Sequence, residues 1–333
     1  MKEMQDKGVS MKVDRFSKYA WGVLAFNLAV IMFGAYVRAS SSGAGCGAHW
    51  PLCNGEIIPR APRIETLIEF THRTTSGLAF LLVTGLLFFA WRAYPKGHQV
   101  RIGAAFSMLF MITEALVGAG LVLFRLVEYN DSFYRAFSIA IHLTNTFLLL
   151  ASLSLTAWWA SGGKPLNLRD NPAFTWLMGF GLLGLLILGA SGAVTALGDT
   201  LFPSLSLSDA LMQDFSPTAH FLIRLRVLHP TIAMAVGTYL ILIASLTNLR
   251  IRKPSNHLFS RALTVLVVLQ ILAGVINVTL LAPIWMQIIH LFLSDALWIA
   301  LVLLTATTLV SHETVVEKEP LPGSQLASSS KTG

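Results

Sequence analysis

Long uninterrupted apolar runs limit most of what this chain can fold into. Reading windows between charged and Pro/Gly-rich breaks gives eight candidate spans, near 19–39, 66–91, 102–124, 136–160, 173–197, 218–248, 262–282 and 285–310. Each exceeds the ~18 residues that mark a transmembrane helix. Composition agrees, because 54% of the 333 residues are hydrophobic and only 12% charged, about half the charged share of soluble domains. The expected fold class is an all-α polytopic membrane protein, and a pair of soluble domains is excluded.

Charge then sets topology. The formal charge of +7 comes from 24 Lys and Arg against 17 Asp and Glu. Placing the N-terminus, the 92–101, 161–172 and 249–261 loops and the tail on one side collects 16 of the 24 basic residues there. The positive-inside rule therefore puts both termini in the cytoplasm, and nucleic acid is not implied. Residues 1–18 carry five Lys/Arg without an apolar core, so they read as a cytoplasmic segment and not a cleaved signal peptide, with Met11 as an alternative start. The tail, 311–333, rich in Ser, Pro and charge without periodicity, is expected to be disordered.

The halves resemble each other. Gly34-Ala35 recurs as Gly192-Ala193, His72 as His229, Gly118 as Gly274 and His142 as His290, at offsets of 158, 157, 156 and 148. Four matches in one order imply a duplicated four-helix unit. An even number of helices per unit makes the repeat parallel, unlike the inverted repeats of many transporters. The expected organisation is a four-helix bundle over 19–160, a cytoplasmic linker over 161–172 and a second bundle over 173–310. Small residues such as Gly118, Gly120, Gly181, Gly184, Gly189 and Gly192 are accounted for by close helix packing in lipid.

Of nine histidines, His98, His257 and His312 fall in loops or at a span end, where solvated surface is the expectation. His72, His142, His229 and His290 lie near the outer ends of the even-numbered spans, at one depth. Intramembrane ionisable groups are expensive and usually functional. Two histidines per four-helix unit can grip one planar iron porphyrin from both faces, whereas a zinc site needs three or four ligands close together. Phe70, Phe80, Phe147, Phe221 and Trp298 suit a porphyrin wall or ordinary packing.

Glu69 precedes His72 by three residues, so both project from one helix face. It is a candidate for proton handling, or a helix-start carboxylate favoured by the macrodipole. Arg38, Arg73, Arg224 and Arg226 stand on the outer side against the charge trend, where heme propionates or lipid phosphate would receive them. The first outer loop reads Gly45-Cys46-Gly-Ala-His49-Trp-Pro-Leu-Cys53-Asn-Gly. A disulfide, a metal site with His49 and a redox-active pair are all open at this point.

Together the Gly-Cys-Gly-x-x-Trp-Pro-Leu-Cys-x-Gly loop, Glu69-Phe-Thr-His72-Arg73, Ile-His142-Leu, Arg226-Val-Leu-His229 and Gln287-Ile-Ile-His290-Leu resemble the heme A synthase family over about 19–310. The resemblance implies two similar four-helix bundles and oxidation of a ring methyl of heme O to a formyl group, giving heme A for terminal oxidases. It implies that His72 and His142 face the substrate heme and its iron, that His229 and His290 ligate the iron of a resident heme b, that Glu69 is catalytic, and that Cys46 and Cys53 pair. It also implies a heme O-producing farnesyltransferase and a membrane electron acceptor as partners, in a bacterial cell membrane. Pro230 stands where the family often has arginine after the histidine; it removes a backbone donor beside the ligand. His220 competes with His229, which the repeat favours. A diheme b-type electron-transfer cytochrome is the alternative, and a heme-handling transporter a further one; the first leaves Glu69 and the cysteine loop idle.

Overall fold

The computed structural model describes residues 14–251 and 253–310; the proposed tail and residues 1–13 lie outside them. Among the described residues ten helices run in order: α1 (Arg15–Ala39), α2 (Ile64–Ala93), α3 (Gln99–Leu123), α4 (Phe133–Ala160), α5 (Pro172–Leu201), α6 (Leu207–Asp214), α7 (Phe221–Arg226), α8 (Leu228–Arg250), α9 (Pro254–Thr279) and α10 (Ile284–Thr308). Counting α7 and α8 as one interrupted span, eight are long and apolar enough to cross a membrane, and the chain is a multi-pass membrane protein.

Local signals place the ends. Asp14 caps α1 by accepting the Ser17 N–H, Ser132 caps α4 through the Arg135 N–H, and Asn171 followed by Pro172 opens α5. The sixth span breaks at Val227, three residues before Pro230, because proline offers no N–H to the helix ladder. His229 sits on the first turn after that break.

Neighbour relations close two rings. α1 packs on α2 and α4, and α3 on α2 and α4; α5 packs on α8 and α10, and α9 on α8 and α10. The rings meet through α4 with α5 and α10, and through α1 with α10. At the centre of that seam Phe147 stacks on Trp298 with ring centroids 5.1 Å apart, and Trp298 Nε1 donates to the Phe147 carbonyl at 2.6 Å. Gly189 makes room there, since a Cβ on it would stand 2.7 Å from Phe147 Cε2. Large apolar side chains such as Leu81 and Phe88 stay exposed along the outside, as a lipid-facing surface requires.

Polar contacts collect at the two ends. Arg38, at the end of α1, donates to the Ala196 carbonyl, Thr200 and Gln287, joining α1 to α5 and α10. At the other end Ser17 bonds Ser161, and Asn256 donates to Thr308.

Candidate functional site

The four repeat histidines occupy similar depths, about 9–14 Å along their spans at 1.5 Å per residue. Each meets the glycine that the repeat pairs with it. A Cβ on Gly34 would lie 2.9 Å from His72 Cε1, and one on Gly192 would lie 2.9 Å from His229 Cε1. Gly118 and Gly274 stand likewise against His142 and His290, at 3.7 and 3.3 Å. Gly34 and Gly192 thus give imidazole rings their space, whereas 3.7 Å at Gly118 is ordinary van der Waals contact.

The His229 and His290 rings are 6.4 Å apart between centroids and nearly perpendicular, at 81°. Two imidazoles bound to one metal at about 2 Å each would hold their centroids about 6 Å apart, so this pair fits a shared iron. His229 Nδ1 bonds Ser191 Oγ at 3.0 Å, which orients the ring. Nδ1 of His72, His142 and His290 is buried without a hydrogen-bond partner among the described residues.

His220 is elsewhere engaged. It caps α7, accepting the Leu222 N–H, and its Nε2 lies 3.5 Å from Asp131. His98 caps α3 and stacks on Tyr94, and His257 bonds Asn248; His312 lies outside the described residues.

Above the first pair sits the cysteine loop. Cys46 and Cys53 form a disulfide, which removes both sulfurs from any metal site with His49, itself exposed. The loop is fastened to α2 at several points. Cys46 N–H donates to Glu69 Oε2 at 2.7 Å, and Thr66 Oγ1 donates to the Gly45 carbonyl at 2.7 Å. Arg73 grips Glu69 Oε1 through Nε at 3.0 Å and through Nη2, and donates from Nη1 to the carbonyls of His49 and Leu52 at 2.5 and 2.7 Å. Gly45 is required at this approach, since a Cβ there would come 2.4 Å from the Glu65 carbonyl carbon. Glu69 is thus a buried carboxylate with both oxygens occupied, one turn from His72.

Three of the four outer arginines, for which the sequence left heme propionates and lipid phosphate open, have protein partners. Arg73 is spent on Glu69 and the loop, Arg38 on the seam, and Arg226 on Asp199 at 3.1 Å and Asp214 at 2.8 Å; Arg224 is exposed. Phe147 and Trp298 likewise belong to the seam and not to a porphyrin wall. A cavity of about 380 Å³ between α1, α9 and α10, lined by Trp21, Leu28 and Phe292 among others, contains no histidine.

Two carboxylates escaped the sequence reading. Glu114 on α3 has Oε1 3.5 Å from His142 Nε2. It accepts from Asn145 Nδ2 at 2.5 Å and Thr146 Oγ1 at 2.6 Å. Asp295 on α10 is fully buried, and neither of its oxygens has a hydrogen-bond partner among the described residues. Depth in an apolar span was the signal for both.

Residues 17–302 match the family described as cytochrome oxidase assembly protein, COX15-CtaA. Proteins of two Thermus thermophilus strains, both called protoheme IX farnesyltransferase, are 56% identical over 295 residues, which is 89% of this chain and 48% of theirs. The chain therefore spans about half the length of these relatives. A heme A synthase of Halalkalibacterium halodurans is 47% identical over 95 residues, 28% of this chain and 32% of that protein. One of Bacillus mycoides is 40% identical over 111 residues, 33% of this chain and 36% of that protein.

Proposed function

The chain belongs to the COX15-CtaA family of cytochrome oxidase assembly proteins, and from that premise we propose that it is a heme A synthase, a membrane oxidoreductase acting on heme O. The observation that carries this reading is the repeated glycine-backed histidine pair, found at one depth in both halves, with a clamped carboxylate beside only the first. In the proposed division, the bundle over 19–160 takes the substrate, and the bundle over 173–310 holds a resident heme.

Converting a ring methyl to formyl removes four electrons and four protons when counted against one water. His72 and His142 would hold the heme O iron, and so fix the porphyrin relative to Glu69. His229 and His290 would hold heme b, which when bound supplies an electron-transfer centre. Glu69 is positioned to accept protons, its side chain fixed by Arg73 and by the Cys46 N–H. The loop closed by the disulfide covers this end of α2 and limits water there.

The partners follow from the chemistry. Heme O must come from a farnesyl transfer to protoheme, and the electrons must pass to an acceptor in the membrane. A Thermus relative that carries a segment like this one within a longer protein called a protoheme IX farnesyltransferase supports the pairing of the two activities. It does not favour farnesyl transfer by this segment. That name belongs to a protein about twice as long, of which this chain matches 48%. The proposed location is a bacterial cell membrane with both termini cytoplasmic.

Pigment extraction from the purified protein tests the reading. Heme b together with heme O or heme A is expected. Heme b alone would move the assignment to a diheme cytochrome, and no heme would remove the histidine assignments altogether.

A further inference from the structure

Two arginines at the outer ends of α1 and α4 lie close together with no acid bonded to either among the described residues. Arg135, on the first turn of α4, is 3% exposed, and its Nη1 donates to the Glu128 carbonyl and, at 2.8 Å, to the Asn130 carbonyl. Its Nε is buried with no hydrogen-bond partner among the described residues, and Nη2 makes no bond there either but is not enclosed. Arg38 stands near enough to repel Arg135, and it too bonds only neutral groups, the Ala196 carbonyl, Thr200 and Gln287. The nearby acids are engaged or outside: Asp199 is held by Arg226, Asp131 faces His220, and Glu128 is exposed on the loop. A buried cation left with neutral acceptors is costly, and at membrane depth such a position points to a ligand.

Placement says which ligand. Arg135 precedes His142 by seven residues, two turns of helix, so the two share one face of α4 about 10 Å apart along its axis. The His142 side chain is 32% exposed, so space adjoins that face. Outward of it, a cavity of about 290 Å³ lies between the cysteine loop and the 124–131 loop, lined by Gly47, Val122, Val127 and Glu128 among others. The first loop is fastened to α2 one turn from His72 and the second leads into α4, so the cavity opens where the two histidine-bearing helices begin. The second half lacks the guanidinium. At the offset of 148 that relates His142 to His290, Arg135 corresponds to Pro283, as Glu114 corresponds to Gln270 at 156.

We propose that the Nη2 edge of Arg135 receives a carboxylate of the porphyrin substrate, one of the pair that such a ring carries on one side, and so fixes which edge of the ring faces outward. This rests on the reading that the first half takes heme O, and it asks nothing of the iron. A guanidinium presents paired N–H donors in the geometry a carboxylate accepts. An anion at this place also offsets the repulsion between Arg135 and Arg38. The ring carries several methyl groups, and the edge that faces outward decides which of them stands toward Glu69; Arg135 is thus a specificity-determining contact. The simpler role, tying the 124–131 loop to α4, uses Nη1 alone and is indifferent to the charge of a ligand.

The test is a fluorescence titration of the purified full-length protein with metal-free protoporphyrin IX and with its dimethyl ester, in which both carboxylates are masked. The parental protein should bind the free acid at least about tenfold more tightly than the ester, the worth of one charge-assisted hydrogen bond. Arg135→Gln should lose that preference while binding the ester as the parent does. Arg135→Lys, which keeps the charge but not the planar fork, should fall between the two. A parent that binds both forms equally, or variants that weaken both forms alike, overturns the proposal. Should Arg135→Gln fail to fold, Arg135→Lys decides, and an unchanged preference then overturns it. A parent that binds neither form also overturns it, and if the extract of that protein lacks heme, the function on which the proposal rests falls as well.

Discussion

Replacing Glu69 by Gln separates proton chemistry from loop anchoring, because the carboxylate does two jobs with two oxygens. Oε2 accepts the Cys46 N–H at 2.7 Å, while Oε1 accepts from Arg73. A glutamine has one carbonyl oxygen. Turned toward Arg73, it sets its amide N–H₂ against the Cys46 N–H, donor to donor; turned toward Cys46, it abandons Arg73. The second choice forfeits both Arg73 bonds, so the first is the cheaper and forfeits one charge-assisted hydrogen bond, worth about 1.5–3 kcal/mol. Arg73 keeps the His49 and Leu52 carbonyls and its side chain is 13% exposed, so the lower end applies. About 1.5–2 kcal/mol corresponds to roughly a 10–30-fold shift in the docking equilibrium of the loop. Docking can be read from the cysteines, which are 0% and 1% exposed. After reduction, an impermeant thiol reagent should react with them faster in Glu69→Gln by about that factor. Arg73→Gln breaks the same ion pair and also the bonds to the His49 and Leu52 carbonyls while keeping the carboxylate, so it should loosen the loop at least as much. Chromatography and mass spectrometry of the extracted hemes then separate the jobs. Glu69→Gln should accumulate heme O or a hydroxylated product, whereas Arg73→Gln should still make heme A at a reduced rate. Equal loss of heme A in both variants would confine Glu69 to anchoring, and heme A at the parental rate in Glu69→Gln would remove it from the mechanism.

Other outcomes follow from the same geometry. His229→Ala or His290→Ala should lose a low-spin heme b, since one imidazole offers one axial bond, whereas His72→Ala or His142→Ala should keep it and abolish heme A; full heme b in the first two variants would refute the assignment. In spheroplasts the impermeant thiol reagent should reach Cys46 and Cys53 after reduction, and labelling only after permeabilisation would invert the topology. Gly189→Val should lower the thermal midpoint of the detergent-solubilised protein, because its side chain enters space held by Phe147 and overpacking of this kind costs about 1–3 kcal/mol; an unchanged midpoint would show that the seam is not close-packed.

Hydropathy made the spans legible to within a few residues at most ends, α9 being the exception because Pro254 starts it well before the apolar run does. The interruption at Val227 was foreseeable from Pro230, and the ordering of repeat glycines and histidines is visible without coordinates. Side-chain partners were not. Arg226 meets Asp214 from α6 and Asp199 from α5, and Arg38 meets Gln287 across 249 positions of chain; no periodicity relates such residues. The cysteine chemistry stayed open for a similar reason, because spacing permits a disulfide without fixing what else approaches the sulfurs. Glu114 was overlooked since a single acid in an apolar span carries no motif, although its offset from Gln270 was available.

Reading the halves position by position suggests where the chemistry belongs. Glu69, three residues before His72, becomes Arg226 before His229 at an offset of 157; Arg73 becomes Pro230; and Glu114 becomes Gln270. Both frames keep the glycines and the histidines, the parts that the two proposed heme sites share. Only the first keeps acids against its histidines. In the second half, the arginine that replaces Glu69 is consumed by Asp199 and Asp214, a closed ion cluster that fastens the broken sixth span to α5 and α6. A charge in a membrane span is retained against a cost of several kcal/mol, and an ancestral frame that only had to bind heme twice would have no reason to bear it in one half alone. Carboxylates beside one histidine pair and structural ion pairs beside the other support the proposed division between transforming one heme and retaining another.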